Sequence, residues 1–182
     1  LKKFIELYPH IRISIECQST SHTLQLLQER RIDIGFIGRP SSMGNITFHS
    51  LGEIEDIFVA SKSYMDNLSL SSSTADIFHA ATLMLLDKEN ITRRYIDDYL
   101  KEHHIDPGNL LEISTMDLLI EFAKIGLGIA CVIRQFVQEE LDRGILHEIP
   151  LGFPIHAREI GLAFPSSSSQ SQALKTFTDF FR

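Results

Sequence analysis

An α/β fold that uses one architectural idea twice is what the sequence predicts, and two stretches carry that reading. Leu110 to Ile133, LLEISTMDLLIEFAKIGLGIACVI, reads as strand, polar turn, amphipathic helix, glycine turn and strand. Leu111 and Ile113 alternate with Glu112; Leu118, Leu119, Phe122, Ala123 and Ile125 fall at helical spacing; Gly126-Leu127-Gly128 precedes the apolar run Ile129 to Ile133. Such a strand-helix-strand unit is the building block of parallel sheets. Ile11 to Ile37 repeats the plan: Ile11, Ile13 and Ile15 alternate, Ser19-Thr20-Ser21 opens a helix carrying Leu24 and Leu27, and Ile32 to Ile37 returns.

Composition sets the outer bounds. The 182 residues, 43% hydrophobic and 23% charged, suffice for one sizeable core or two small ones. A formal net charge of -7 argues against this stretch gripping a phosphate backbone by itself, because that needs a local excess of Lys and Arg. No apolar run approaches the roughly twenty residues that span a bilayer, and no positive segment followed by an apolar one opens the chain, so a cytoplasmic protein without membrane contact is expected. Cys17 and Cys131 fall at the end of one expected strand and inside another, as unoxidised core cysteines do. A disulfide between them is not expected.

In chain order, Leu1, Phe4, Ile5 and Tyr8 form a helical stripe that stops at Pro9; with no capping residue before it, the natural chain is expected to extend upstream. A strand Ile11 to Cys17, a helix Ser21 to Arg31 and a strand Ile32 to Ile37 come next, then a loop from Gly38 to Asn45 and extended segments Ile46 to Leu51 and Ile54 to Ser61. The Ser, Asn, Asp and Thr residues between Lys62 and Ala75 read as a solvated connection near a domain crossing. A strand Ala81 to Leu86 leads to a helix with Ile91, Tyr95, Tyr99 and Leu100 on one face, closed by the turn Asp106-Pro107-Gly108. After the central unit come a helix through Phe136, Val137 and Leu141 capped by Gly144, a short strand Ile145 to Ile149, and a strand Ile160 to Phe164. Pro165 to Ser169 is a loop, and a last helix aligns Ala173, Leu174, Phe177, Phe180 and Phe181. These signals place 1–61 with 160–182 in one subdomain and 62–159 in another.

The chemistry is expected in polar turns at the carboxyl ends of the strands, where helix N-termini present unpaired N-H groups. Ser19, Thr20 and Ser21 are each followed three residues later by His22, Thr23 and Leu24, never by an acid, so this helix start stays uncompensated and suits an anion. Ser114 and Thr115 open a second helix, where Ser114 with Asp117 also fits a capping box. Asn90, Thr92 and Arg93 open a third, where Arg93 or Arg94 can grip a carboxylate or the two can pair with Asp97 and Asp98 four residues on. Gly38 and Arg39, just past a strand, are a fourth candidate.

Other chemistries lack their patterns. His103-His104 point about 100° apart on a helix, and no H-x-x-x-H or C-x-x-C spacing occurs, so no metal is expected. No G-x-S-x-G, P-loop or G-x-G-x-x-G is present, and Gly126-Leu127-Gly128 follows a helix where a dinucleotide motif precedes one. Neither a catalytic constellation nor a cofactor is expected.

Taken together, LxxFxxxYPxIxIxI at Leu1 to Ile15, the Ser/Thr-rich helix start, RIDIGFI at Arg31 to Ile37, EISTMDLLIEFAKIGLGIA at Glu112 to Ala130 and LxxGxLxxI at Leu141 to Ile149 resemble the effector-binding domain of LysR-type transcriptional regulators. The resemblance implies the type 2 periplasmic-binding-protein fold: two Rossmann-like subdomains joined by two crossover strands, with a small anionic effector in the cleft. It implies Ser19, Thr20, Ser21 and His22 as one anion-binding turn, with Asn90 to Arg93 and Ser114-Thr115 as counterparts. It also implies a homodimer that pairs the Ser21 to Arg31 helix of one chain with the Asp117 to Ile125 helix of the other, a tetramer for the full-length regulator, and promoter DNA contacted only through an N-terminal winged helix-turn-helix outside this sequence. A transporter's solute-binding protein and a prephenate-dehydratase-like lyase are the alternatives on the same fold.

Overall fold

A computed structural model describes residues 1–68, 74–166 and 171–181. Parts of two expected connections, at 69–73 and 167–169, lie outside them. The chain divides into two compact units, Leu1–Glu53 with Arg158–Arg182 and Ile54–Ala157.

The first unit begins with α1 (Lys2–Leu7), whose Phe4 is fully buried against Phe177 and Phe180 of the final helix α8 (Gln172–Phe180), with ring centroids 4.8 and 5.4 Å away. That contact explains the aromatic stripe at the end of the sequence. Helix α2 (Thr20–Gln28) packs Leu27 against Ile37, Ile46 and Ala163 of a three-stranded sheet. Its strands are β1 (Gly35–Gly38), β2 (Ile46–Ile54) and β8 (Arg158–Pro165), in the order β1-β8-β2, with β1 antiparallel to β8. Gly35 permits the close approach of β1 to α2: a Cβ there would lie 2.6 Å from Thr23 Cγ2 and 3.3 Å from Leu27 Cδ1.

The expected strand Ile11 to Cys17 is not formed. The segment joins no sheet, Ile15 is 66% exposed, and Cys17 is an exposed free thiol rather than a core residue. Alternation marks a strand only where a neighbouring edge takes it up, and β1 is hydrogen-bonded to β8 alone.

The second unit is built on five strands, β3 (Asp56–Ser61), β4 (Thr82–Leu86), β5 (Asn109–Ile113), β6 (Ile129–Ile133) and β7 (Leu146–Glu148), in the order β5-β4-β6-β3-β7. β4 runs parallel to β5 and β6, while β3 is antiparallel to β6 and β7. The central unit is therefore a true strand-helix-strand crossover, β5, α6 (Met116–Lys124) and β6, that passes over β4. Alternate residues of the central strands serve two cores. Ile57, Val59, Met84, Leu86, Ala130 and Val132 meet α6 on one face. Phe58, Ala60, Leu83, Leu85, Ile129 and Cys131 meet α5 (Ile91–Glu102) and Phe78 of α4 (Thr74–Ala80) on the other.

Three expectations change here. All six residues of β3 are buried at the centre of this sheet, so the crossing falls at Glu53/Ile54, upstream of Ser61. The return falls at Ala157/Arg158. The polar stretch after Ser61 is not a loop at its start: Ser61 caps α3 (Lys62–Asn67), its hydroxyl accepting from Tyr64 N at 3.3 Å. The expected helix around Phe136 divides into a 3-10 turn, Arg134–Phe136, and α7 (Gln138–Asp142).

Helix ends follow backbone chemistry. Gly126, at φ 79°, ends α6 with Gly126 N donating to Ala123 O and Leu127 N to Phe122 O, the paired bonds of a Schellman cap. Arg30 closes α2 with the same two bonds, from Arg30 N to Leu27 O and Arg31 N to Leu26 O, but at φ 57° without glycine. A side chain in the left-handed region costs about 1 kcal/mol. Arg30→Gly is accordingly expected to raise stability by roughly 0.5–1 kcal/mol, read as an increased urea midpoint at unchanged slope.

Candidate functional site

In the first unit, Ser19 caps α2: its Oγ accepts from His22 N at 3.3 Å, and its carbonyl accepts from Thr23 N at 2.9 Å. No acidic side chain stands in the first turn. Leu26 and Leu27 anchor the helix in the core, leaving Ser21 and His22 exposed and Thr20 half-buried. The four residues singled out in sequence thus gather at one helix start.

Gly38 and Arg39 follow β1 in the same unit. Gly38 pairs with Ile160, and Arg39 N donates to Glu159 O at 2.8 Å. The Arg39 guanidinium ion-pairs with the Glu159 carboxylate and lies 5.6 Å from the centroid of the Phe48 ring. Its charge already has an internal partner.

In the second unit, two turns sit side by side because β4 and β5 run parallel with Leu86 opposite Ile113. Asn90 caps α5, its side chain accepting from Thr92 N at 2.9 Å. Thr115, not Ser114, caps α6 and accepts from Leu118 N at 3.4 Å, while Asp117 occupies the first turn. The capping box read from Ser114 is replaced by a cap one residue later, leaving Ser114 exposed beside it. This helix start carries an acid near its positive end, and α2 and α5 do not.

Arg93 departs most from the sequence expectation. Only 3% exposed, it donates from Nη1 to Leu86 O at 2.8 Å and to Glu112 Oε1 at 3.1 Å, and from Nε to Asp97 Oδ1 at 2.7 Å. These bonds turn the guanidinium into the protein, so it is not presented as a clamp for a carboxylate. The exposed cations of this turn are Arg94, whose Nε donates to Lys88 O at 3.4 Å, and Lys88, 3.9 Å from Glu112 Oε1. Sequence reading passed over Lys88 because it lies in the run Asp87-Lys88-Glu89, which resembles any solvated turn.

A small cavity of about 200 Å³ in the second unit is lined by Glu55, Asp56, Arg134 and Glu148 together with Leu151, Pro154 and Ile155. Its arginine is also committed: Arg134 forks onto Glu148 at 2.8 and 2.7 Å and reaches Glu55 at 2.7 Å. Among the described residues no group of three or more His, Cys, Asp or Glu could hold a metal ion, and no helix is long and apolar enough to cross a membrane.

With this geometry in place, the sequence model of the LysR substrate binding domain matches residues 1–182. The chain belongs to the LysR substrate-binding domain family. It is 25% identical over 173 residues to the uncharacterized HTH-type transcriptional regulator YeiE of Escherichia coli, covering 95% of this chain and 58% of YeiE. The LysR domain thus spans little more than half the length of that relative. Among solved structures, the CcmR regulatory domain of Synechocystis PCC6803 in complex with 2-PG superposes with a TM-score of 0.84 at 16% identity, covering 99% of this chain and 86% of that one. The effector-binding domain of QuiR in complex with shikimate superposes with a TM-score of 0.78 at 19% identity, covering 99% and 85%. The fold is that of LysR effector domains, the type 2 periplasmic-binding-protein fold.

The Arg39 pair generates a pH prediction. Glu159 is held below its ordinary value of 4.5, first by the hydrogen bond from Arg39 and then by one from Ser50. A carboxyl lowered in the folded state adds stability above its unfolded value and loses it as pH falls through the lowered one. Urea midpoints of wild type and Glu159→Gln are expected to differ in favour of wild type at neutral pH. The gap should close in acid, below the ordinary carboxylate range.

Proposed function

We propose that this LysR domain senses a small organic or inorganic anion and thereby modulates the DNA binding and transcription control of the regulator to which such a domain belongs. The observation that carries this reading is the start of α2, where Ser19, Thr20, Ser21 and the ionisable His22 surround a helix N-terminus with no acid in its first turn. Backbone N-H groups and hydroxyls there match a carboxylate or oxyanion. The turns at Asn90-Thr92 and Ser114-Thr115 offer the same chemistry in the second unit. Shikimate, the partner of QuiR, is a carboxylate of this kind. No catalytic step is assigned to the chain, and a cytoplasmic setting goes with the reading.

Calorimetric titration of benzoate, shikimate, 2-PG, sulfate and bromide tests the proposal. A ligand is expected to bind, with Thr20→Ala and Thr115→Ala each weakening it about tenfold, the worth of one hydrogen bond to a charged group. Equal affinity in wild type and both variants overturns the assignment.

We also propose that the domain pairs with a second copy, α2 of one protomer against α6 of its partner. Support comes from the outer side of α6, where Leu118 and Ile125 are exposed, Ile125 at 73%, and Leu127 follows. Ile125→Glu is expected to convert a dimer into a monomer in sedimentation velocity. A monomeric wild type at micromolar concentration contradicts it.

A further inference from the structure

Resting on the anion reading above, we infer that Arg93 is a positioning residue, which joins the Asn90 turn to the Ser114-Thr115 turn and sets their geometry without contacting the ligand. Burial of a permanent charge is tolerated only when it is paired and hydrogen-bonded. Arg93 meets that condition with acceptors from three elements: Asp97 on its own helix, the carbonyl of Leu86 at the end of β4, and the carboxylate of Glu112 on β5. One atom, Nη1, serves both strands, at 2.8 Å to Leu86 and 3.1 Å to Glu112.

The positions of these acceptors give the contact its meaning. Leu86 is the last residue before the segment leading to Asn90, and Glu112 stands two residues before Ser114. Strand pairing alone brings Leu86 opposite Ile113, but the turns beyond that register leave the sheet. Arg93 carries the constraint past the strand ends to the first turn of α5, where Asn90 and Thr92 make the cap. It also compensates Glu112, whose negative charge would otherwise stand unpaired by any buried cation close to a turn meant for an anion. The exposed Lys88, 3.9 Å from the same oxygen, supplies only a screened second contact. Lysine at position 93 would keep the charge but could not reproduce the planar fork that reaches Asp97 from Nε while Nη1 spans the strands.

The test has two arms. In the ligand-free arm, amide hydrogen exchange is followed by NMR at three cap-bonded amides: Thr92, Leu118 and, in the other unit, His22. Arg93→Lys is expected to speed exchange at least tenfold at both Thr92 and Leu118 and to leave His22 unchanged. Asp97→Asn, which removes only the charge of the partner on the same helix, should leave Leu118 as in wild type. Acceleration at Thr92 alone, at none of the three, or equally at His22 overturns the inference, as does acceleration at Leu118 by Asp97→Asn. Should Arg93→Lys not fold, Glu112→Gln takes its place and is expected to accelerate Leu118.

In the second arm, benzoate, shikimate and 2-PG are titrated into wild type, Arg93→Lys and Asp97→Asn, with Tm measured in parallel. If wild type binds none of them, the anion reading fails for these ligands and the first arm alone decides the positioning role. If wild type binds one, Arg93→Lys is expected to weaken it at least tenfold and Asp97→Asn to leave it unchanged even where both lower Tm equally. Affinity that merely follows Tm across the variants, or that Arg93→Lys leaves intact, refutes the role.

Discussion

Burial of the three central strands of the five-stranded sheet, β4, β6 and β3, on both faces is the constraint from which the second unit follows. Its central strands cannot expose either side, so Phe58, Leu83, Leu85 and Cys131 must be covered by α5, and Val59, Met84, Leu86 and Val132 by α6. Helices that cover opposite faces of a sheet with β4 and β5 parallel must start where those strands end. The Asn90 and Thr115 caps are therefore neighbours by topology. Their hydroxyl and amide chemistry is local, but their adjacency is a consequence of hydrophobic burial.

The arginines reveal a second regularity. Arg39, Arg93 and Arg134 each stand near a strand end where a ligand clamp would be expected, and each is bound to carboxylates of the same chain. Hydrogen bonds to Glu148 and then to Glu55 push the Arg134 guanidinium above its already high ordinary value, and they tie the end of β6 to both carboxylates. Under the proposed anion reading, with a net charge of -7 and these three guanidinium groups engaged by carboxylates, recognition would fall to helix N-termini, backbone N-H groups and hydroxyls. Such donors discriminate by geometry rather than by charge alone, and they act at short range. Arg93 ties the strand ends to the helix start through Leu86, Glu112 and Asp97.

Local patterns determined most of the elements. The period of Leu118, Leu119, Phe122 and Ala123, the glycines at 126 and 144, and the Ser and Asn caps depend on interactions within a few residues, and the structure forms them at or within a residue or two of the expected places. The Ser19 cap and the acid-free first turn of α2 were legible for the same reason, since a capping hydroxyl and a missing acid are both read within one turn. What tertiary structure alone decided are relations between distant residues. Whether Ile11 to Cys17 finds a sheet edge, whether Asp56 to Ser61 belongs to the first unit or lies at the centre of the second, and whether Arg93 faces solvent or Leu86 and Glu112 all depend on which surfaces meet. An arginine and a carboxylate nineteen residues away, as Arg93 and Glu112 are, have no spacing signature: periodicity reports on neighbours along the chain, whereas pairing across a sheet is set by the fold that brings them together.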